Sequence, residues 1–482
     1  MNYQIILNIV GLVLQFEAAF MSVPFLTALI YKEEEALIFI ATAIICLVVG
    51  YLLKRKTILD FTMLMKDGCI AVSLSWIAIS VFGAIPFWAS GCIPSFIDAI
   101  FETVSGFTTT GASILTEVES LPRSIIIWRS FTHWIGGMGM LVFLLTLIKM
   151  PGGSHMNLMK AESPGPIVGR LVPRVQTTAI ILYGIYFAMT VVEGVLLIIA
   201  RMPVFDAICT AFGTAGTGGF GILNDSMASY SPAIQYIVTI FMIAFGVNFS
   251  VYYLMLIGKL KDAVKSEEVR WYFIIIAVAV GIITWNILGM YSSLEEAFRM
   301  AAFQVGSIIT TTGFATTNFD LWPEVSKMVL LALMFVGACA GSTGGGIKVS
   351  RFIVLIRYMS NEVKQYFHPN LVRKVTLDGK AIPNEVTRNT STYVVVYALI
   401  YALSLFIIAF DGKDFVTNFS AVAATFNNIG PGLGIVGPAG NFSSYSDLSK
   451  VVLTFDMLAG RLEIFPMLIL FSSESWKGLM RR

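Results

Sequence analysis

The chain has 482 residues, of which 56% are hydrophobic and 13% are charged, and its formal net charge is +2. Soluble domains carry about 25% charged residues, so this composition excludes a soluble globular protein. Apolar runs recur from end to end, and those of about twenty residues are long enough to cross the roughly 30 Å hydrocarbon layer of a bilayer. We therefore predict an all-α polytopic membrane protein surrounded by a lipid bilayer.

The first two apolar segments, about 5–30 and 36–53, precede anything that repeats. No cation precedes the first run, which is also too long for a cleaved signal peptide, so we expect a retained helix. Both helices are interpreted as a peripheral scaffold or an oligomer contact.

Four similar units follow, each with a helix, a short segment of mixed polarity, a glycine-containing stretch and a second helix. The predicted helix pairs are 69–90 with 124–150, 177–201 with 231–259, 270–291 with 325–358, and 389–410 with 447–472. The short segments of about 13 residues cannot span a bilayer and must be buried or line a wet cavity. We predict four pseudo-symmetric helix–re-entrant loop–helix repeats around a central pore, preceded by two N-terminal helices. The domain boundaries are 1–60 for those two helices, then 61–160, 161–265, 266–375 and 376–482 for the repeats.

The glycine-containing stretches are predicted to form a cation filter. A short helix that points its C-terminal end at the pore offers partial negative charge, and the carbonyl groups after it replace part of a hydration shell. Glycine permits the backbone angles that align those carbonyl groups. The predicted filter residues are Thr109, Thr110, Gly111, Gly216, Thr217, Gly218, Thr311, Thr312, Gly313, Asn428, Ile429 and Gly430.

The distribution of positive charge predicts the orientation. If each repeat crosses, re-enters and crosses back, most cations fall on one side. The positive-inside rule then places both termini in the cytosol and the four filter stretches toward the outside. The clustered cations are Lys54, Arg55, Lys56, Lys160, Arg170, Arg174, Lys259, Lys261, Lys265, Arg270, Arg357, Lys364, Arg373, Lys374, Lys380, Lys477, Arg481 and Arg482.

A glycine-rich break interrupts the second helix of repeat three at 337–348. Each glycine costs a helix about 1 kcal/mol relative to alanine, so this stretch should be unwound inside the membrane. We interpret it as a movable gate below the filter, with a small-residue packing notch as the alternative. A nucleotide-binding P-loop is disfavoured because Ile347 stands where that motif needs lysine. The predicted gate residues are Gly341, Ser342, Thr343, Gly344, Gly345, Gly346 and Lys348.

Arg461 lies well inside the last apolar run, where a charged side chain usually faces a cavity or a partner. Its cation either forms a barrier in the pore or pairs structurally with Glu463 or a nearby carbonyl group. The three histidines are far apart, and no nucleophile elbow or paired carboxylates occur, so we predict neither a metal cluster nor an enzyme.

Five motifs together resemble the TrkH family of bacterial Trk potassium-uptake systems. They are the runs 105–112, 133–139, 340–348, 427–432 and 460–463. The resemblance implies K⁺ uptake across a bacterial inner membrane by a homodimer with one pore per subunit. It maps the filter glycines to Gly111, Gly218, Gly313 and Gly430, the gate to 341–346 and the pore arginine to Arg461. It also implies control by a separate cytosolic TrkA-like nucleotide-binding ring, with K⁺ as the transported ion, no covalently bound cofactor and no nucleic acid.

Two mechanisms stay open at this point. The first is a gated, channel-like pore driven by the membrane potential. The second is a secondary transporter that couples K⁺ to H⁺ or Na⁺, which would involve an intramembrane carboxylate such as Glu193 or Glu463. A non-conducting scaffold or sensor is a weaker third possibility.

Overall fold

The computed structural model describes residues 2–54, 64–139, 175–368 and 374–476. These residues are helical except for connecting segments and one antiparallel hairpin, β1 (Thr376–Leu377) and β2 (Lys380–Ala381). The predicted all-α class is confirmed. Residues 140–150 of the predicted second helix of repeat one lie outside the described residues. So do several of the orienting cations: Arg55, Lys56, Lys160, Arg170, Arg174, Arg373, Lys477, Arg481 and Arg482.

Three helices precede the repeats: α1 (Tyr3–Phe20), α2 (Ser22–Tyr31) and α3 (Ala36–Lys54). α1 buries one apolar face in the main core, whereas α3 is mostly exposed, as expected of a helix that faces lipid. The two helices approach closely at a pair of glycines: a Cβ on Gly11 would lie 2.6 Å from the Gly50 carbonyl oxygen. Small residues at such a contact allow helix backbones to pack tightly in a membrane.

The repeats follow in chain order, each with a re-entrant helix of 12 to 16 residues between other helices. Repeat one contains α4 (Met65–Gly83), α5 (Ile85–Ala89), the re-entrant α6 (Phe96–Phe107) and α7 (Arg123–Gly137). Repeat two contains α8 (Val175–Ile199), the re-entrant α9 (Val204–Gly216), α10 (Pro232–Phe245), α11 (Phe249–Leu256) and α12 (Leu260–Lys265). Repeat three contains α13 (Glu267–Ile287), the re-entrant α14 (Leu294–Ile309), α15 (Glu324–Val336) and α16 (Val349–Phe367). Repeat four contains α17 (Asn384–Ile408), the re-entrant α18 (Phe415–Phe426), α19 (Asp447–Arg461), α20 (Phe465–Phe471) and α21 (Ser473–Trp476).

The sequence implied ten spanning helices, but fewer are continuous in the described part of the chain. Six are long and apolar enough to cross a membrane, and a seventh span would be the pair α10 and α11, bent by 92°. The expectation of a single helix over 231–259 is therefore wrong. In repeat four, the expected helix over 447–472 is divided at Glu463 and Ile464, which both have positive φ.

The bend between α10 and α11 has a tertiary cause. The segment 337–348 packs against it, and the Cys339 N–H donates to the Gly246 carbonyl oxygen at 3.1 Å. The Phe249 N–H donates in turn to the Gly341 carbonyl oxygen at 3.0 Å. These bonds satisfy backbone groups that a continuous helix would have paired internally, so two interrupted helices stabilise each other.

Candidate ion pathway

The four glycine-containing stretches meet in a closed ring. In each stretch, a Cβ added to one glycine would touch the carbonyl oxygen that precedes the equivalent glycine of the next repeat. The distances are 2.1 Å from Gly111 to Gly218 O, 2.0 Å from Gly219 to Thr312 O, 2.1 Å from Gly313 to Ile429 O and 2.7 Å from Gly430 to Thr110 O. Each repeat thus contacts the next in cyclic order, and the fourth contacts the first.

All four stretches share one backbone conformation. A residue in the left-handed region is followed two positions later by a glycine that also has positive φ. These pairs are Thr109 with Gly111, Thr217 with Gly219, Thr311 with Gly313, and Asn428 with Gly430. The residue between the two members of each pair donates its N–H to the carbonyl oxygen five residues earlier in the chain at 2.8 Å. Examples are Thr110 N–H to Ser105 O and Ile429 N–H to Ala424 O. At the second position a Cβ would be strained by the positive φ and would also collide with the carbonyl oxygen of the next repeat, which explains the glycine there in every copy.

The shared conformation corrects the predicted filter in repeat two. Gly219, not Gly218, is the equivalent of Gly111, and Gly216 precedes the stretch as the last residue of α9. Gly218 is required for a different reason, because a Cβ there would lie 2.2 Å from the His133 ring. That ring bridges two repeats: Nδ1 lies 2.8 Å from the Gly106 carbonyl oxygen, and Nε2 accepts from the Phe220 N–H at 3.3 Å. Nε2 is therefore unprotonated, and the neutral His133 ring supports the backbone of both repeats through these two bonds.

Each re-entrant helix ends directly before its stretch, so its C-terminal partial negative charge lies beside the ring. The N-termini of three of these helices are capped by side chains, those of Ser95, Ser293 and Asp414. The following helices hold the C-terminal ends in place at close range. A Cβ on Gly136 would lie 1.8 Å from Phe107 O, and one on Gly460 would lie 2.0 Å from Phe426 O.

A cavity of about 140 Å³ opens on the side where the chain leaves the ring, and all four ring glycines line it. Arg129 also lines this cavity, but its charge is matched by Glu102, whose Oε1 lies 2.6 Å from the arginine Nε. The Glu102 carboxylate also accepts from Ser113 Oγ and the Ile114 N–H, both at 3.0 Å. Glu102 lies in the middle of α6, and its carboxylate holds the segment that follows the ring glycine Gly111.

Buried side-chain oxygens lie at the end of the ring opposite the 140 Å³ cavity. The Thr109 hydroxyl and the Asn428 amide oxygen have no hydrogen-bond partner among the described residues. Buried polar atoms are rarely left unpaired, and unpaired oxygens suit a cation or water. The equivalent Thr311 hydroxyl is occupied, since it accepts from the Gly345 N–H at 2.7 Å.

That bond comes from the unwound segment 337–348, which we call the pore loop. It packs directly against the ring: a Cβ on Gly344 would lie 3.0 Å from Thr310 O, and one on Gly345 would lie 3.0 Å from Asn427 O. The Lys348 side chain is buried, and its Nζ donates to the carbonyl oxygens of Gly344 and of Gly345. The remaining predicted gate residues lie in the same segment: Gly341, Ser342, Thr343 and Gly346.

Arg461 joins the pore loop to the end of α7. Its guanidinium donates to Thr343 O at 2.8 Å, to Gly136 O at 2.6 Å and to Gly137 O at 2.7 Å. The sequence predicted either a barrier in the pore or a structural pairing with Glu463 or a nearby carbonyl group, and these three bonds are of the carbonyl kind. Glu463 forms an ion pair with Arg351 at the start of α16. One cation therefore contacts three carbonyl oxygens. Removing it would take a charged donor from all three, although Gly136 O would keep its bond from the Gly139 N–H.

Sequence reasoning missed Glu268 and the pairing of Glu102 with Arg129 as parts of this region. Glu268 accepts hydrogen bonds from two N–H groups of the pore-loop region. A charged residue at the start of an apolar helix usually signals only a solvated end, so the sequence offered no sign of this role. Arg129 was visible as a charge in an apolar run, a signal of a buried partner.

The comparisons with known proteins agree over nearly the whole chain. The family TrkH, described as "Cation transport protein", matches residues 35–478. The Trk system potassium uptake protein TrkH of Salmonella typhimurium is 36% identical, covering 99% of this chain and 100% of that protein. TrkG of Escherichia coli K12 is 33% identical and covers 99% of both chains. The crystal structure of the potassium transporter TrkH from Vibrio parahaemolyticus matches with a TM-score of 0.89 at 34% identity, covering 99% of this chain and 100% of that chain. The chain therefore belongs to the TrkH family of cation transport proteins.

Proposed function

We propose that this protein takes up K⁺ across a bacterial inner membrane through a gated selectivity filter. The proposed filter comprises the four stretches with the corrected register in repeat two. Its residues are Thr109, Thr110, Gly111, Thr217, Gly218, Gly219, Thr311, Thr312, Gly313, Asn428, Ile429 and Gly430. The observation that carries the proposal is the cyclic contact of four equivalent glycines with four carbonyl oxygens.

The ring supports a monovalent cation that has lost part of its hydration shell. Carbonyl oxygens and helix C-termini supply partial negative charge from several directions, as K⁺ filters do. The residue before the ring glycine is not the same in every repeat: it is threonine in repeats one and three, glycine in repeat two and isoleucine in repeat four, namely Thr110, Thr312, Gly218 and Ile429. Such a ring is less regular than four identical loops, so we expect a preference for K⁺ over Na⁺ that is not absolute. Rb⁺ should pass well.

The pore loop is proposed as the gate, and Arg461 as its latch and as a positive barrier. Both lie against the end of the ring away from the 140 Å³ cavity. A small-residue packing notch would not explain why the Gly345 N–H donates a hydrogen bond to the Thr311 hydroxyl of the proposed filter. A loop that bonds to the filter and to an arginine obstructs the pathway until those bonds break.

We further propose that both termini are cytosolic and that the pore loop lies on the cytosolic side of the ring. The ring closes within one chain, which supports one pore per subunit in the proposed homodimer. A separate cytosolic TrkA-like nucleotide-binding ring is proposed as the regulator, as the family resemblance implies. Crosslinking in native membranes would test the dimer.

Two experiments test the function. Single-channel recording in a planar bilayer, without a pH or Na⁺ gradient, should show unitary K⁺ currents. Their absence, with K⁺ flux that depends on a second ion, would instead indicate a coupled transporter.

The second experiment deletes Gly344–Gly346 and measures Rb⁺ flux into proteoliposomes. We expect a higher flux than in the unaltered protein, because the segment that covers the ring is removed. A folded deletion variant that conducts less would refute the gate.

A further inference from the structure

Glu268 is a buried carboxylate that contacts both ends of the pore-loop region. It is the second residue of α13 and is 6% exposed. Its Oε1 accepts from the Ala340 N–H at 2.7 Å and from the Ser350 N–H at 3.1 Å. Ala340 lies where the loop departs from α15, and Ser350 lies in the first turn of α16. A single oxygen atom therefore joins the two sides of the break.

Neither the Ala340 N–H nor the Ser350 N–H has a backbone acceptor within its own segment that could replace Glu268. N–H groups in the first turn of a helix have no intrahelical acceptor, and Ala340 lies in unwound backbone. Hydrogen bonds to an ionised acceptor are roughly twice as strong as neutral ones, and they are stronger still away from water. Glu268 thus supplies an acceptor that the loop lacks, and it stabilises the conformation seen here.

The neighbouring residue connects this carboxylate to the surface of the protein. The Glu267 N–H donates to Asp378 Oδ1 at 2.7 Å, and its carboxylate pairs with Arg357 at 2.8 Å. Asp378 lies at the tip of the hairpin formed by β1 and β2. Arg357 Nη1 donates to Thr376 O in the same hairpin.

The hairpin is also packed on the helix that follows the pore loop. Val354 of α16 forms a buried apolar cluster with Val375 and Ile382, which flank the two strands. A displacement of the hairpin would therefore act on both the start of α13 and the start of α16. These are the two elements that Glu268 ties together.

We propose that Glu268 is a positioning residue that holds the pore loop closed, and that the hairpin at 376–381 sets the position of Glu268. This inference rests on the proposed function of the loop as a gate. It adds a route by which a force applied to the hairpin reaches the pore. Glu268 does not contact the ion; it acts through the loop.

The test uses a native thiol as a reporter. Cys339 is buried in the pore loop, and its N–H is bonded to Gly246 O. The other four cysteines, Cys46, Cys69, Cys92 and Cys209, are replaced by alanine. The rate of maleimide labelling of the full-length protein in liposomes then measures how often the loop opens, independently of ion flux.

Glu268→Ala removes both hydrogen bonds, and we expect the labelling rate to rise at least about tenfold. Glu268→Gln retains an oxygen that can accept from both N–H groups but loses the charge, so the labelling rate should lie between that of the parent and that of Glu268→Ala. Glu324→Ala is the matched control. It removes an exposed carboxylate, paired with Lys327, from the first turn of α15 and leaves the Glu268 bonds and the hairpin contacts in place, so we expect little change. Asp378→Ala should give an intermediate rate if the hairpin positions Glu268.

The outcomes separate the inference from the proposed function. An unchanged labelling rate in Glu268→Ala would overturn the role of Glu268. Faster labelling without higher Rb⁺ flux would support that role while refuting the loop as a gate. Should Glu268→Ala fail to fold, Glu268→Asp withdraws the carboxylate by one methylene while keeping its charge. Labelling of that variant at the parent rate would equally contradict the inference.

Discussion

Replacing Gly313 by alanine isolates the ring contact that the proposed filter depends on. The new Cβ would lie 2.1 Å from the Ile429 carbonyl oxygen, whereas ordinary contact begins at 3.4 Å. The carbonyl group would therefore have to retreat by 3.4 − 2.1 = 1.3 Å. The positive φ of +89° adds about 1–2 kcal/mol of backbone strain for a residue with a Cβ.

A displacement of this size should abolish most transport. Misplacement of interacting groups by about 1 Å can cost roughly 100-fold in rate, so we expect Rb⁺ uptake to fall by about that factor. The assay is Rb⁺ flux into proteoliposomes, together with thermal melting in detergent to show that the variant is folded.

Gly412→Ala provides the matched control. Gly412 has a similar φ of +69°, but no atom lies within 4 Å of the position where its Cβ would stand. This variant should carry the backbone strain and keep its flux. If Gly313→Ala is folded and its flux matches that of Gly412→Ala, the ring does not hold the ion and the reasoning is wrong.

Three further predictions concern the groups that support the ring and the loop. Arg461→Ala should raise Rb⁺ flux because it frees the Thr343 carbonyl from the end of α7, and unchanged flux in a folded variant would argue against a latch. Glu102→Gln should lower the free energy of unfolding by about 3–5 kcal/mol, since it leaves a buried guanidinium without its counter-charge; a melting temperature equal to that of the parent would contradict this. Hydrogen bonds from Thr417 hold the pKa of Asp414 below its ordinary value of 3.8. Asp414→Ala should therefore cost about 1 kcal/mol at neutral pH, and the difference should vanish as the pH falls through the folded pKa, which melting curves at several pH values would show.

Repeat two shows where sequence reasoning lost the register. The run 216–219 contains three glycines, so several alignments with the other repeats fit about equally well. Two structural facts together select one alignment: Thr217 and Gly219 both have positive φ, and Gly219 lies against the Thr312 carbonyl oxygen. That contact joins residues that are far apart in sequence, and no local pattern encodes it.

The sequence by itself determined the membrane class, the four repeats, the re-entrant helices and the unwound segment. Apolar length, glycine content and helix propensity are local properties, and each can be read from neighbouring residues. The tertiary structure alone decided the bend between α10 and α11, the carbonyl partners of Arg461 and the role of Glu268. Each of these depends on which backbone groups remain unpaired after the helices pack, and that is settled by contacts between distant parts of the chain.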